Sequence, residues 1–381
     1  MKLFGGKQRG GSARRTAPRR LGAVFTVALV LALAAGAAAL LLRPRAPRET
    51  RGGTPPSLHP AVAPQRVIAT PPPTPEPPPT PSPAPVNAPL ERVGESASFV
   101  LLGRESWSLS TDTVLAGRFD TATGALDAVS IPRDTLVDVE WGVKKINSVL
   151  RFGEGPEAVL DVMEGLLGFR PDYYIILDAA GVEALFDAAG GLYYNVERDY
   201  DYDDPVQDLH IHVPGGLRQL SGAEAVQILR FRVGNDGTGY PDGDLGRIRT
   251  QQGLLAALAS RWREAGEIPN AARVGELFFE LAETNLTPEQ LAACAAVFLS
   301  SPEEPEFFTA PGTSVCIRGG YYYQLDPKAW TELINAALNP WSAPVEVSQL
   351  DVLREFGEDG AVSTHGDVIP MESFFDYDAL G

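Results

Sequence analysis

"DYYIILDAAGVEALFDAAGGLYYNVE", residues 172–197, decides the fold because it places a helix between two strands. The first part predicts a buried strand, and the middle predicts a helix that ends at Gly190 and Gly191. The last part predicts a second strand, rich in aromatic residues. Strands that alternate with helices in this way indicate an α/β domain, with helices packed on a largely central sheet.

The segments before this stretch continue the pattern. "SASFVLLG", residues 96–103, predicts a buried strand, and "DTVLAGRFD" and "LDAVSIP" predict a hairpin around "TATG". "GPEAVLDVMEGLLG" has apolar residues at helical spacing, with a proline near its start and a glycine at its end. The region from residue 93 to residue 340 therefore predicts one domain, long enough for a single core.

The segments after it add four helices, and "RIRTQQGLLAALASRWREAG" predicts the long amphipathic one among them. Ser221 and Glu224 are spaced as a capping box before "VQILRFR", and Thr287 and Gln290 repeat that spacing before another helix. "PKAWTELINAALNP" predicts the last strong helix. Residues 341–381 lack a firm period and are acidic, so we expect a weakly ordered tail there.

The N-terminal segments predict a membrane anchor. Residues 21–42 form an unbroken apolar run, which as a helix would cover roughly 33 Å, enough to cross the hydrocarbon core. Seven Lys or Arg side chains and no acidic one precede it, so residues 1–20 should form a basic cytoplasmic tail. A cleaved signal peptide is the alternative. Both place the rest of the chain outside the cytoplasm, in the cell membrane or beyond it.

A proline-rich linker follows, from residue 43 to residue 92. Between residues 52 and 90 it holds fifteen of the 33 prolines of the chain. Proline lacks a backbone N–H group and favours an extended polyproline helix, so this segment predicts a semi-rigid stalk.

Charge and cysteine content exclude several functions. The chain of 381 residues carries a net charge of −17, although its first 51 residues hold eleven basic side chains and one acidic one. The remainder is thus strongly acidic and would repel nucleic acid. Two cysteines, Cys294 and Cys316, leave a disulfide or two separate thiols open. With only four histidines, a zinc site is not expected.

Arginines nevertheless recur at strand and helix ends. Arg133 ends a predicted buried strand, Arg230 and Arg232 end a helix, and Arg247 lies in the first turn of another helix. Guanidinium groups bind phosphate oxygens in pairs, and the N-terminus of a helix also favours anions. Ordinary ion pairs, such as Arg133 with Asp134 or Arg247 with Asp244, are the alternative explanation.

Carboxylates near these arginines predict a hard cation. Asp112 and Asp134, with Glu105 upstream, could hold Mg²⁺ beside a bound anion. The arginines would neutralise phosphate charge, and a metal ion would bridge phosphate oxygens. The sequence shows no Ser-His-Asp or Cys-His arrangement. Together these features indicate phosphoryl transfer.

At these motifs the chain resembles the LytR-CpsA-Psr (LCP) proteins of Gram-positive cell envelopes. The resemblance runs from about Phe99 to Trp262 and more weakly to Pro340. It is carried, in order, by "SIPRDT", "KIN", "DYYIILD", "LFDAAGG", "LHIHVPGG", "LSGAEAVQILRFR" and "DGDLGRIRTQQ".

The resemblance implies a three-layer α-β-α domain with a central mixed sheet and an apolar pocket for a polyprenyl chain. It implies transfer of a glycopolymer, such as a teichoic-acid-like, capsular or other secondary wall polymer, from polyprenyl pyrophosphate to peptidoglycan. Mg²⁺ or Mn²⁺ would assist, and a phosphodiester would form. The partners would be the lipid-linked glycan, peptidoglycan and membrane lipid, without nucleic acid. The alternative is a polyprenyl-phosphate-binding regulatory or scaffold protein without efficient transfer.

Site residues follow from the matched motifs. Asp112, with Glu105, would hold the metal, and Asp134 would orient Arg133 or act as a base on the hydroxyl. The phosphate-binding arginines would be Arg133, Arg230, Arg232 and Arg247, and the further substrate-binding residues Lys145, Asn147 and Gln251.

Three positions depart from the family pattern. Glu105 replaces the usual aspartate, and Ser110 stands where the family has an arginine. Thr250 stands where the family has its second arginine before the glutamines, and Arg249 precedes it. The extra CH₂ of the glutamate is expected to shift the metal by about an ångström, a displacement that matters for catalysis.

Three other motifs have plain structural explanations. His210 and His212 should share one strand face without a metal, and "DYDYDD", residues 199–204, predicts a solvated loop. "YYYQ", residues 321–324, predicts a strand.

Overall fold

A computed structural model describes residues 91–104, 110–153, 155–205, 209–266, 268–357 and 360–378. The predicted cytoplasmic tail, transmembrane helix and nearly all of the predicted linker lie outside these residues, as does Glu105. Within the described ranges, no helix combines the length and the hydrophobicity that a membrane crossing requires.

The described part of the chain contains fifteen strands and eight α-helices, besides three short 3-10 helices and a π-helix at Ile334–Leu338. The strands are β1 (Ser96–Arg104), β2 (Thr111–Asp120), β3 (Leu126–Ile131), β4 (Tyr173–Asp178), β5 (Leu192–Val196), β6 (Tyr200–Asp204), β7 (Leu209–Val213), β8 (Gly216–Leu220), β9 (Glu283–Thr284), β10 (Glu306–Thr309), β11 (Gly312–Ile317), β12 (Gly320–Leu325), β13 (Leu353–Gly357), β14 (Gly360–Ser363) and β15 (Val368–Pro370). The helices are α1 (Val149–Phe152), α2 (Pro156–Leu167), α3 (Ala179–Ala188), α4 (Gly222–Arg230), α5 (Asp244–Ala265), α6 (Ala271–Leu281), α7 (Pro288–Ser300) and α8 (Pro327–Leu333).

Six strands form the central sheet, in the order β10-β3-β2-β1-β4-β9. β1, β2 and β3 pair antiparallel, whereas β4 runs parallel to β1 and β10 runs parallel to β3. The predicted hairpin around "TATG" is therefore confirmed, and the sheet is mixed. A mixed sheet needs both hairpins and helical crossovers, which matches the order of elements along the chain.

Two apolar cores lie on opposite faces of this sheet. Alternate residues of β1 separate them: Phe99 and Leu101 pack with α3, α4, α5, α6 and α7, and Val100 and Leu102 pack with α1, α2 and α8. The alternation follows from the two-residue period of a strand. The predicted α/β fold with a central mixed sheet is thus confirmed, with one layer of helices on each face.

The helix ends follow their sequence signals. Ser221 and Thr287 each accept a hydrogen bond from the backbone N–H three residues on, and Glu224 and Gln290 complete both capping boxes. α2 has Pro156 at its start and ends at Gly168, whose φ of 77° suits glycine. The capping box at Ser221 fixes where α4 begins, and thereby where its C-terminal residue, Arg230, lies.

The C-terminal region differs from its prediction. In place of a weakly ordered tail, β13, β14 and β15 form a three-stranded antiparallel sheet within residues 353–370. Its apolar side chains pack with Leu136, Ile317 and Tyr322 in a third core. The strands are three to five residues long, too short for a period to be recognised in the sequence.

The cysteines are both free thiols. Cys294 lies on α7, half-buried, and Cys316 lies exposed on β11. Burial raises the pKa of the Cys294 thiol to about 11. The structure thus favours the separate thiols that the sequence left open over a disulfide.

Asp172 provides a test of stability against pH. Burial alone would raise the pKa of its carboxyl group, but hydrogen bonds from Arg92 and from the Ser98 backbone and side chain hold the pKa below its usual value. A carboxyl group whose pKa is lower in the folded than in the unfolded state stabilises the native state fully at pH values above its unfolded pKa of about 3.9. This stabilisation is lost as the pH falls through the folded-state pKa.

We therefore expect Asp172→Asn to lower the free energy of unfolding at pH 7, with the difference from wild type shrinking below about pH 4. Urea unfolding at several pH values measures it. Asp161→Asn, which removes an exposed carboxylate beside Arg170, is the matched control and should change stability little. An Asp172→Asn deficit that stays constant down to pH 3 would contradict this explanation.

Candidate functional site

A cavity of about 520 Å³ opens where β2 begins and β3 ends. Its described lining includes five charged side chains, four of them arginines: Asp112, Arg133, Arg230, Arg232 and Arg247. Tyr202, Leu209 and Tyr240 add an apolar wall. The excess of positive charge in an acidic domain makes this cavity suited to an anion.

Strand register brings Asp112 and Arg133 together. Val114 of β2 lies opposite Ile131 of β3, so the antiparallel pairing carries Arg133 to the level of Asp112. A β-bulge lies there too, because Gly103 pairs with Thr113 and Arg104 with Thr111, which leaves Asp112 as the extra residue. The Arg133 guanidinium donates to the Asp112 carboxylate.

Arg247 enters from the first turn of α5. Its side chain is only 3% exposed, and Nη2 donates to the Asp112 carbonyl oxygen at 3.0 Å. Its Nη1 lies 3.8 Å from the Asp112 carboxylate, and Nη2 lies 2.7 Å from the carboxylate of Asp244. The Arg247–Asp244 pair that the sequence left open is therefore present. Asp244 offsets the cost of a buried cation at the positive end of a helix.

Arg230 and Arg232 complete the cluster from the end of α4. Both line the cavity, and the Arg232 side chain is 47% exposed with Nε 3.8 Å from the Asp244 carboxylate. For Arg230 no ion pair occurs within the part of the chain that the structure describes. Arg230 and Arg232, with one residue between them in the sequence, thus present two guanidinium groups to an anion in the cavity.

Three other predicted site residues, Asp134, Lys145 and Asn147, are not among the described residues that line the cavity. Asp134 forms an ion pair with Lys145 at 3.0 Å, and Lys145 stacks on Tyr322 at 5.0 Å. Among the described residues, the carboxylate paired with Arg133 is Asp112, and a contact between Asp134 and Arg133 is not seen there. The role of Asp134 as an orienting group or as a base stays a prediction. Asn147 is buried, and its backbone N–H donates to the Arg133 carbonyl oxygen at 3.2 Å.

Gln251 has a supporting position rather than a place in the cavity lining. Its buried amide donates to the Leu229 carbonyl oxygen at 2.8 Å, just before the last residue of α4. That bond ties α5 to the helix that carries Arg230. The glutamine therefore holds the arginines in place, and its predicted direct contact with substrate is not seen among the cavity-lining residues of the described chain.

Two residues of the site were missed in the sequence. Asp244 was considered only as a partner for Arg247, although its buried carboxylate also lies 3.8 Å from Nε of Arg232. Tyr240 lines the cavity, and its hydroxyl lies 2.8 Å from that of Thr250. Gly246 permits the close approach of the Tyr240 side chain to α5, because a Cβ there would come within 2.2 Å of the tyrosine Cβ.

Comparison with known proteins agrees with this architecture. The family model of the LytR_cpsA_psr family matches residues 84–338. An uncharacterized protein of Staphylococcus aureus is 25% identical over 273 residues, or 71% of this chain and 64% of that protein. The chain therefore spans less than two thirds of this relative.

A second relative carries a functional name. The polyisoprenyl-teichoic acid–peptidoglycan teichoic acid transferase TagU of Bacillus cereus is 28% identical over 240 residues, which cover 62% of this chain and 75% of TagU. Among solved structures, Bacillus subtilis TagV superposes with a TM-score of 0.52 at 21% identity, over 64% of this chain and 96% of TagV. That structural likeness shows the fold.

Proposed function

Because this chain belongs to the LytR_cpsA_psr family, we propose that it transfers a glycopolymer from a polyprenyl-pyrophosphate carrier to a hydroxyl group of peptidoglycan. The observation that carries the proposal is the convergence of four arginines from three separate segments on one cavity. The transferase name of TagU supports the same class of reaction.

The arginines would act on the diphosphate. The acceptor hydroxyl oxygen attacks the phosphorus that bears the glycan, and the bond from that phosphorus to the bridging oxygen breaks. The leaving polyprenyl phosphate keeps the electron pair, and the hydroxyl proton is lost to solvent. Negative charge builds on the phosphate oxygens during this exchange, and Arg133, Arg232 and Arg247 would offset it.

The carboxylates fit a divalent cation such as Mg²⁺ or Mn²⁺. Asp112 lines the cavity, and the buried carboxylate of Asp244, which forms an ion pair with Arg247 at 2.7 Å, is the nearest further carboxylate that Arg247 contacts. Mg²⁺ commonly takes one or two carboxylates together with substrate phosphates. A cation held there would supply further positive charge to the diphosphate oxygens. Without it, Arg133 and Arg247 neutralise Asp112.

An apolar cleft gives the lipid a candidate place. A second cavity of about 340 Å³ lies between the sheet and α7, near the start of β1, and is lined by Ala97, Phe99, Phe119 and Leu291 among others. Phe99 pairs with Gly117, five residues along β2 from Asp112, which is roughly 17 Å. A polyprenyl chain whose diphosphate meets the arginines could extend along this layer to the cleft.

A transfer assay tests the proposal. Full-length protein in detergent, with Mg²⁺, is incubated with a lipid-linked glycopolymer and peptidoglycan. We expect a glycan–peptidoglycan phosphodiester and released polyprenyl phosphate, both identified by mass spectrometry. Retention of the lipid without either product would contradict transfer and favour a lipid-binding regulatory or scaffold protein.

A further inference from the structure

The outer face of the β6–β7 pair carries four side chains with metal-binding atoms. Asp201 lies opposite His212 and Asp203 lies opposite His210 in the antiparallel register. Residues two apart on a strand share a face, so these four form one exposed square. The predicted solvated loop at residues 199–204 is therefore wrong from Tyr200 onward, because alternate residues of β6 face the core.

Ring nitrogens of both histidines of this square approach the same carboxylate oxygen. His210 Nδ1 lies 2.5 Å and His212 Nε2 lies 3.3 Å from the same oxygen, Oδ1 of Asp203. Ligand atoms of these three residues all lie within 4.8 Å of one another. Two imidazoles and a carboxylate are a common ligand set for Zn²⁺, with Zn–N and Zn–O distances of about 2.0–2.2 Å. Small side-chain rotations would bring the three onto one ion.

Asp201 supplies the support that such a site needs. Its carboxylate lies 2.7 Å from Nδ1 of His212. That contact fixes the tautomer with hydrogen on Nδ1 and leaves Nε2, the atom nearest Asp203, as the metal-binding nitrogen. A carboxylate that holds the far nitrogen of a ligating histidine is typical of zinc sites.

We propose that Asp203, His210 and His212 bind a divalent transition-metal ion of the Zn²⁺ class, with Asp201 as a positioning residue. The site is separate from the arginine cavity and independent of the proposed transfer reaction. It lies on the back of the cavity wall, because Tyr202 and Leu209 of the same strands line the cavity. The Asp203 backbone N–H also donates to the side chain of Asn235, in the loop after Arg232, at 3.0 Å. A bound ion would thus tie both strands together behind the arginines.

Zinc titration of the full-length protein tests this site. Metal-stripped protein in detergent is titrated calorimetrically with Zn²⁺ in excess Mg²⁺, which occupies sites for hard cations. We expect the double variant His210→Ala/His212→Ala to lose one equivalent of Zn²⁺ relative to wild type. Asp201→Asn should keep that equivalent but weaken its binding by about tenfold. Zn²⁺ should also raise the melting temperature of the wild type more than that of the double variant.

His365→Ala, which removes a histidine from the C-terminal region, is the matched control and should bind Zn²⁺ as the wild type does. All four side chains of the square are exposed, so circular dichroism should show native folding of the variants. Equal Zn²⁺ uptake by the wild type and the double variant would overturn the proposal. So would an equal loss in His365→Ala.

Discussion

Arg133→Ala is expected to lower the transfer rate by about 10²–10³-fold, the usual effect of removing one preorganised charge-stabilising group. The side chain lines the cavity and is 21% exposed, so it can reach a diphosphate without refolding of the strand end. The loss should appear mainly in kcat, since developing charge is greatest in the transition state. Steady-state transfer kinetics with lipid-linked glycan measure it.

Two variants serve as controls for this result. Arg249→Ala removes an arginine two residues after Arg247. Arg249 pairs with Asp242 at 2.7 Å and does not line the cavity in the described structure. It should retain near wild-type rates. Arg133→Lys keeps the charge and loses the planar fork, so it should fall between alanine and wild type. Equal activity of Arg133→Ala and Arg249→Ala would refute the role of Arg133.

Asp112→Asn is expected to have two opposite effects. The variant loses a carboxylate for the cation, so its turnover should fall about a hundredfold and respond little to added Mg²⁺. Without metal, however, its affinity for polyprenyl pyrophosphate should rise by roughly tenfold, because a negative charge beside the diphosphate is removed. Arg133 and Arg247 neutralise Asp112 in the wild type, and in the variant they become available to phosphate. Lipid-binding titrations with and without Mg²⁺ separate the two effects.

Asp242→Asn is the matched control for this variant. It removes a carboxylate two residues before α5, where Asp242 holds only Arg249 among the described contacts. Neither turnover nor metal-free affinity should change more than about twofold, since exposed ion pairs contribute little. If Asp112→Asn kept full Mg²⁺-dependent turnover, the cation would have to bind elsewhere.

Much of the fold could be predicted because local signals coincide with long periodic segments. The capping boxes at Ser221 and Thr287 and the glycine end of α2 mark helices whose apolar faces are also regular. Strands buried on both faces, such as β1, appear as continuous apolar runs. The short strands β13–β15 give neither signal, and their order depends on contacts with β11 and β12, far away in sequence.

The site was predictable in its residue types but not in its pairings. Motif positions named the four arginines and Asp112, yet which carboxylate meets Arg133 depends on a bulge in β2 and on the register of β2 with β3. Neither can be read from "STDT" and "SIPRDT" alone. The place of Lys145 likewise depends on Tyr322 and Tyr377, which lie in the region predicted to be strand and tail.

The most direct test of the account is a crystal structure of the protein with a bound polyprenyl pyrophosphate and Mg²⁺. The account predicts that the diphosphate lies in the 520 Å³ cavity, within hydrogen-bond distance of Arg133, Arg232 and Arg247, with the cation between it and Asp112. A diphosphate bound outside this cavity, with the three arginines still paired to Asp112 and Asp244, would contradict it.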